Sequence, residues 1–308
     1  VLQYFCIGIG KKISKMNRRK MKIGSLMMLK ASLLVMVFSM GVIAPAIARN
    51  KQNKKPRKKL KELLMMADSL RLQLLQSAEY DITSDVPKND VSLDSDGDLL
   101  IVGVPSYAGR VPEMAARSLK RFLGNNTPVI IVCVYGNRAY DDTLIELKDI
   151  VEAHGFKLVS AAAVVAQHSI FPKVAEGRPD AEDIEKLHSF AAKSCDILSQ
   201  ISKMSAFSRL MVNGNRPYRD TKPIPLHPEG SKEKCTSCHA CAKMCPADAI
   251  DMDKLYKTDE KKCISCGRCI VVCPEHARHF GGLLYKAASW KFEKDYAEPK
   301  QPEFFYVR

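Results

Sequence analysis

The 308-residue chain is poor in aromatic residues, at 7% with a single tryptophan, and its first acidic side chain is Glu62. Glycine and proline, 16 of each, are too few for a collagen-like or proline-rich chain, and 46% hydrophobic residues are too many for a wholly disordered one. No Gly-x-Gly-x-x-Gly follows an apolar strand and opens a helix, so a nicotinamide-binding fingerprint is missing. The net charge of +14 points at first to nucleic acid. Residues 1–61, however, carry 16 Lys and Arg and no acid, which leaves 32 basic against 34 acidic side chains in the rest. That remainder has no general attraction for phosphate backbones, and nucleic acid is not an expected partner. The length predicts about two domains.

What is there is cysteine, eleven in all, with eight of them between Cys235 and Cys273. Clustering of this kind favours metal ligation over disulfides. Cys6, Cys133 and Cys195 stand alone and read as small buried hydrophobes.

Residues 31–48 form an uncharged apolar stretch between two basic runs, just long enough for a membrane span. Three readings stay open: an anchor, an inserted hydrophobic segment, or an export signal. The last rests on Arg18-Arg19 before the stretch and small-residue cleavage sites at Ala44-Pro45-Ala46 and Ala46-Ile47-Ala48, which resemble a twin-arginine signal. Leucines at helical spacing predict an amphipathic helix over 60–77. Beyond it the spacing predicts strands at 99–104, 129–135 and 157–166. Helices are expected at 112–123, 141–154 and 180–202, the last capped by Asp180. Alternating strands and helices imply an α/β fold with a doubly wound parallel sheet. Pro217, Pro223, Pro225 and Pro228 predict an extended linker. The expected organisation is an atypical segment 1–77, an α/β domain 78–212, a linker 213–230 and a cysteine-rich α+β domain 231–308.

The cysteines read Cys235-x-x-Cys238-x-x-Cys241-x-x-x-Cys245-Pro246 and, 28 residues later, Cys263-x-x-Cys266-x-x-Cys269-x-x-x-Cys273-Pro274. Three thiolates three residues apart can wrap three corners of one cubane, while the fourth, farther on, reaches the other cluster. The spacing therefore assigns Cys235, Cys238, Cys241 and Cys273 to one 4Fe-4S cluster, and Cys263, Cys266, Cys269 and Cys245 to a second. Zinc is the alternative, but zinc modules usually bring two ligands per loop. Cys235-Thr236-Ser237-Cys238-His239 also fits a c-type haem attachment site, a short pattern here embedded in the larger repeat. His239, His276 and His279 are expected at the surface. The segment 231–280 resembles the bacterial two-cluster ferredoxins.

In open α/β sheets ligands bind beyond the carboxyl ends of the strands. Two loops leave such ends here: Pro105-Ser106-Tyr107-Ala108-Gly109-Arg110-Val111-Pro112 and Tyr135-Gly136-Asn137-Arg138-Ala139-Tyr140-Asp141-Asp142. Each combines glycine, for close backbone approach, with an aromatic able to lie on a flat ring or to pack on its neighbours. With Gln167-His168-Ser169-Ile170, these segments make 78–205 resemble the flavodoxin-like half of the flavodoxin–ferredoxin fusions of anaerobic bacteria. The resemblance implies a flavodoxin-like fold, with FMN held between Tyr107 and Tyr140. Around the ring it implies Pro105, Ser106, Ala108, Gly109, Tyr135, Gly136 and Asn137. His168 would close this site or bond its own loop. The pattern departs from flavodoxins at the phosphate loop. Residues 1–5 could form the first strand, but Cys6-Ile7-Gly8-Ile9-Gly10-Lys11-Lys12 follows, with no Ser or Thr. Either the N-terminus completes the sheet around an insertion, or the central strand is missing.

The expected function is electron transfer between FMN and two 4Fe-4S clusters, with redox proteins as partners and the cytoplasm of an anaerobe as location. The alternatives are a ferredoxin-dependent flavin reductase acting on a small molecule, and a membrane-associated electron-delivery module tethered through 31–48.

Overall fold

The computed structural model describes residues 6–10, 77–83, 86–95, 98–200 and 209–307. The expected helix at 60–77 lies outside these except for its last residue, and the apolar stretch 31–48 and residues 1–5 lie wholly outside them. The strands are β1 Cys6–Gly10, β2 Ser77–Asp81, β3 Val91–Asp94, β4 Leu99–Pro105, β5 Phe122–Asn125, β6 Thr127–Tyr135, β7 Phe156–Val165, β8 Glu229–Gly230, β9 Arg278–His279 and β10 Glu303–Tyr306. The helices are α1 Glu113–Leu119, α2 Thr143–Ala153, α3 Ala181–Gln200, α4 Ala240–Lys243, α5 Arg268–Val271 and α6 Gly282–Asp295. Among these described helices, none is long and apolar enough to cross a membrane.

The main sheet has the order β10-β7-β6-β4-β1-β2. β4, β6 and β7 are parallel, as their uninterrupted apolar sequences predict for strands buried on both faces. On β6, Val129, Ile131, Cys133 and Tyr135 pack with Leu144, Leu147 and Val151 of α2 and with Ala115 and Leu119 of α1. Ile130, Val132 and Val134 turn the other way, onto Leu187, Phe190 and Ala191 of α3. The fold is therefore α/β, with helices on both faces of the sheet. Asp180 caps α3 as expected: its Oδ1 accepts the N–H of Asp183 at 2.9 Å, and Asp183 Oδ2 accepts that of Asp180 at 2.9 Å.

Three features differ from the expectation. The sheet is mixed rather than all parallel, because β1 runs antiparallel between β2 and β4, and β10 antiparallel to β7. Residues 6–10, where a phosphate loop would follow a first strand, are themselves strand. The helix expected over 112–123 ends at Leu119, and Phe122–Asn125 becomes β5, parallel to β3. Phe122 is fully buried there, edge-on to Tyr80 at 5.5 Å, which a helical continuation would not provide.

The aromatic C-terminal stretch packs back onto the sheet. Phe304 stacks on Phe190 at 5.1 Å and Tyr306 follows at 5.7 Å, while Phe305 turns to the opposite core, the alternation of a strand. The proline-rich stretch has no helix or strand before β8, yet it is fastened down. Asp149 accepts from Arg216 and Tyr218, and Asp142 accepts the N–H groups of Asn215 at 2.8 Å and Arg219 at 2.7 Å. Leu210 and Val212 enter the core beside α2.

Phe304→Ala should cost about 2–3 kcal/mol, below the figure for a fully buried phenylalanine because this ring is partly exposed. An anaerobic urea titration followed by far-UV circular dichroism reads the loss. An unchanged midpoint would show that β10 contributes nothing to the sheet.

Candidate metal centre

The repeat folds twice into the same backbone. Ser237 and Ser265, His239 and Gly267, and Asp248 and His276 all have positive φ, and each pair is separated by the 28 residues of the repeat. These left-handed residues bend each loop back on itself, so that its first three cysteines point to one side. The short helices α4 and α5 begin after His239 and Gly267 and carry the third cysteine of each loop, while β8 and β9 pair antiparallel.

Two cavities result. One is lined by Cys235, Cys238, Cys241 and Cys273. The other is lined by Cys245, Cys263, Cys266 and Cys269. Each holds three thiols of one loop and the fourth thiol of the other. The thiols surround a volume instead of meeting at a point: among the described residues no three His, Cys, Asp or Glu side chains converge closely enough to hold a single metal ion. Zinc would need such convergence; a cubane, with one thiolate per corner, does not.

Residues 234–277 match the family model of the 4Fe-4S dicluster domain. A search of curated proteins found no match. The dicluster segment is thus ferredoxin-like and belongs to iron–sulfur electron-transfer chemistry.

Its donor set fits clusters in two further respects. Backbone N–H groups already approach the sulfurs, Ala249 to Cys245 at 3.3 Å and its counterpart Ala277 to Cys273 at 3.2 Å, with Ser265 to Cys263 at 3.4 Å. Such bonds favour thiolate over thiol. As free thiols the groups are badly placed to ionise: burial pushes Cys269 up to about 12 and Cys266 up to about 11, with the charge of Arg278 pulling Cys269 back and the Arg268 N–H and charge pulling Cys266 back. A bound cluster supplies the positive charge that holds them as thiolates.

Two arginines that the sequence reading passed over line these cavities. Arg268 lines the second. It is 2% exposed, donates to Thr83 Oγ1 at 2.8 Å and pairs with Asp81 at 3.4 Å, joining the dicluster segment to the end of β2. Arg278 lines both. Nothing in composition or spacing marks either one, since arginine next to cysteine is usually a solvated surface residue.

The two loops at the carboxyl ends of β4 and β6 lie side by side, as expected. Ser106 Oγ and Thr143 Oγ1 are 2.7 Å apart, and Gly109 O accepts the N–H of Asp142 at 2.9 Å. Ala108 and Gly109, at φ 52° and 82°, make the tight turn that bridges Tyr107 and Arg110. A side chain at Gly109 would overlap the Asp141 carboxylate. Glu146 grips Arg110 with both oxygens, at 2.7 and 2.9 Å, and also accepts the N–H of Val111. Pro105 is buried at the end of β4. Burial first, then the charge of Cys266 and, less, that of Cys263, hold the Tyr107 hydroxyl well above the usual phenol range against the pull of Arg268.

Elsewhere the flavin pattern is taken up by the chain itself. Tyr140 is a core residue, edge-on to the buried Tyr135 at 5.2 Å, with its hydroxyl donating to Glu303 at 2.8 Å and accepting from Asn213 at 3.1 Å. Asn137 is 1% exposed. Its amide donates to the carbonyls of Tyr296 and Glu298, both at 2.9 Å, and its oxygen accepts the N–H of Lys300 at 2.8 Å. The His168 ring lies against Gly136, where any Cβ would overlap it. The residues of the second loop therefore do not fit an FMN ring held as the resemblance implies, and residues 6–10 offer a strand in place of a phosphate loop.

His168 bonds its own loop. Its Nδ1 accepts the N–H groups of Ile170 and Phe171 at 3.1 Å each, and its ring stacks on Phe171 at 5.1 Å. Protonation would put a donor against two donors. Burial lowers its pKa to about 4, helped by the charge of Arg138. The folded value lies below the unfolded one near 6.5, so the unfolded chain binds the extra proton first and stability falls as pH drops from about 6.5 to 4. The loss is about 2–3 kcal/mol, allowing for the partial exposure of the ring. His168→Asn, which keeps an acceptor, should flatten this part of the pH profile of the urea midpoint; an unchanged slope would assign the titration to other groups.

Proposed function

We propose that this protein is an electron carrier holding two 4Fe-4S clusters, one on Cys235, Cys238, Cys241 and Cys273 and the other on Cys245, Cys263, Cys266 and Cys269. The observation that carries it is the pair of cavities, each lined by three thiols of one repeat and the fourth of the other. Each cluster accepts and releases one electron at a time without a substrate bond being made or broken. The chain's part is to hold the thiolates, to direct N–H groups at the sulfurs and to restrict water. Cys238 is exposed while Cys241, Cys269 and Cys273 are buried. Cys238 belongs to the first set and is the exposed ligand among the eight, so redox-protein partners would approach on its side. We take 78–212 as the sheet unit, 213–230 as its clamped connection and 231–308 as the cluster unit, whose C-terminal strand is lent to the sheet.

The flavodoxin–ferredoxin fusion with FMN is a second reading, favoured by the hydroxyl of Tyr107 in the first loop feeling the charges of Cys266 and Cys263. The engagement of Asn137 and Tyr140 by the C-terminal segment stands against it. We route no electron through flavin.

Anaerobic preparation of the full chain should give about eight iron and eight acid-labile sulfide per chain, with no stoichiometric flavin. Cys245→Ala should disrupt the cluster shared with Cys263, Cys266 and Cys269, leaving about four iron and the electron paramagnetic resonance signal of the other cluster. Disruption of the cluster on Cys235, Cys238 and Cys241 would overturn the crossed ligand sets, and one FMN per chain would establish the fusion reading.

A further inference from the structure

Arg278 on β9 lines the cavity of Cys235, Cys238, Cys241 and Cys273 and also that of Cys245, Cys263, Cys266 and Cys269. Its side chain is 3% exposed. Nη1 donates to the carbonyl of Leu255 at 2.8 Å and reaches that of Lys257 at 3.4 Å. Nη2 donates to the carbonyl of Pro228 at 2.8 Å and to the Thr258 hydroxyl. These partners are all neutral, and the guanidinium also interacts with the thiol of Cys269, one of the second set of cysteines, through its charge and a side-chain hydrogen bond. Among the described residues no carboxylate forms an ion pair with Arg278, and its buried Nε has no hydrogen-bond partner. A buried guanidinium without a counter-charge is strongly unfavourable, and a buried donor left unmade adds to that cost. Both deficits are met if the missing acceptor is anionic. A cubane held by four thiolates is net negative and becomes more so on reduction, and two such groups would flank this one cation.

Resting on the two-cluster reading, we propose that Arg278 is the shared counter-ion of both clusters. It raises both reduction potentials together, because each added electron increases negative charge beside a fixed positive one. The step is one electron onto one cluster, from a one-electron donor, with no proton taken up and no bond broken. Arg268 is the internal contrast. It lines only the second cavity, and Asp81 already offsets its charge.

The test is a potentiometric titration of the full-length, cluster-loaded chain with dithionite and mediators, followed by electron paramagnetic resonance. Arg278→Gln should make both clusters about tenfold harder to reduce, about 59 mV for a one-electron couple. Arg278→Lys, which keeps the charge and loses the planar fork, should bring both potentials back to within about threefold of wild type. Arg268→Gln should move only the cluster on Cys245, Cys263, Cys266 and Cys269. The proposal is overturned if Arg278→Gln shifts one cluster or neither, or if the Lys and Gln variants shift alike. Should the Gln variant fail to load eight iron, the Lys variant decides: loading with near-native potentials supports the proposal, and failure to load makes Arg278 a structural clamp. Absence of eight iron from the wild-type chain would instead overturn the two-cluster reading itself.

Discussion

Three cysteines at successive separations of three residues can occupy three corners of a cube from a single loop, and the same tightness keeps a fourth from closing the remaining corner. The dicluster segment is organised by that restriction. Cys245 and Cys273 leave their own loops and line the opposite cavity, so neither half of the repeat is complete alone. The left-handed residues recur at equivalent places in both halves because the turn that aims three sulfurs inward is sterically unusual and has to be made twice. Crossing over also brings the two cavities close together. A single arginine can then border both, which a pair of independent metal loops would not permit.

A segment with so small an apolar core of its own needs support, and the sheet supplies it. Attachment occurs at several places. Arg268 bonds Asp81 and Thr83 at the end of β2. Tyr285 and Phe292 of α6 pack with Phe171, and the Tyr285 hydroxyl donates to Ile170 O at 3.1 Å. β10 then extends the sheet beside β7. The proline-rich stretch adds a further tie through Asp142 and Asp149, two acidic residues at and within α2. Fixing the cysteine-rich segment against the sheet in this way holds the thiols at set distances from one another. For electron transfer this matters more than for binding, because the rate depends on separations that must not wander.

Much of this was legible in the sequence because it follows from short-range rules. Eight cysteines at regular spacing state their chemistry locally, and short β-branched apolar runs such as Val129 to Val134 suit strands buried on both faces, as they are. What escaped depended on partners distant in the chain. Phe122 and Leu123 continue a helical pattern, but pairing with β3, some thirty residues earlier, draws them into a strand. Cys6 to Gly10 carries no mark of running antiparallel to β4, because direction is decided by the path of the intervening chain. Arg268 and Arg278 look like surface residues until the fold places cavities beside them.

The loop between β6 and α2 shows why motif and ligand must be separated. Glycine, asparagine and tyrosine there specify a backbone that turns sharply beyond the end of a strand, with Asn137 at φ 65°. The same groups are satisfied within the chain: Asn137 by three backbone partners of the C-terminal segment, Tyr140 by Glu303 and Asn213, Gly136 by the ring of His168. A flat ligand would have to displace bonds already made in a buried setting, where each lost partner leaves a desolvated group behind. The energetic sense of this loop is therefore to receive the returning chain. By anchoring α6 and β10 it fixes the far end of the segment whose cysteines do the chemistry, and the sheet acts as the frame on which the two thiol-lined cavities are held.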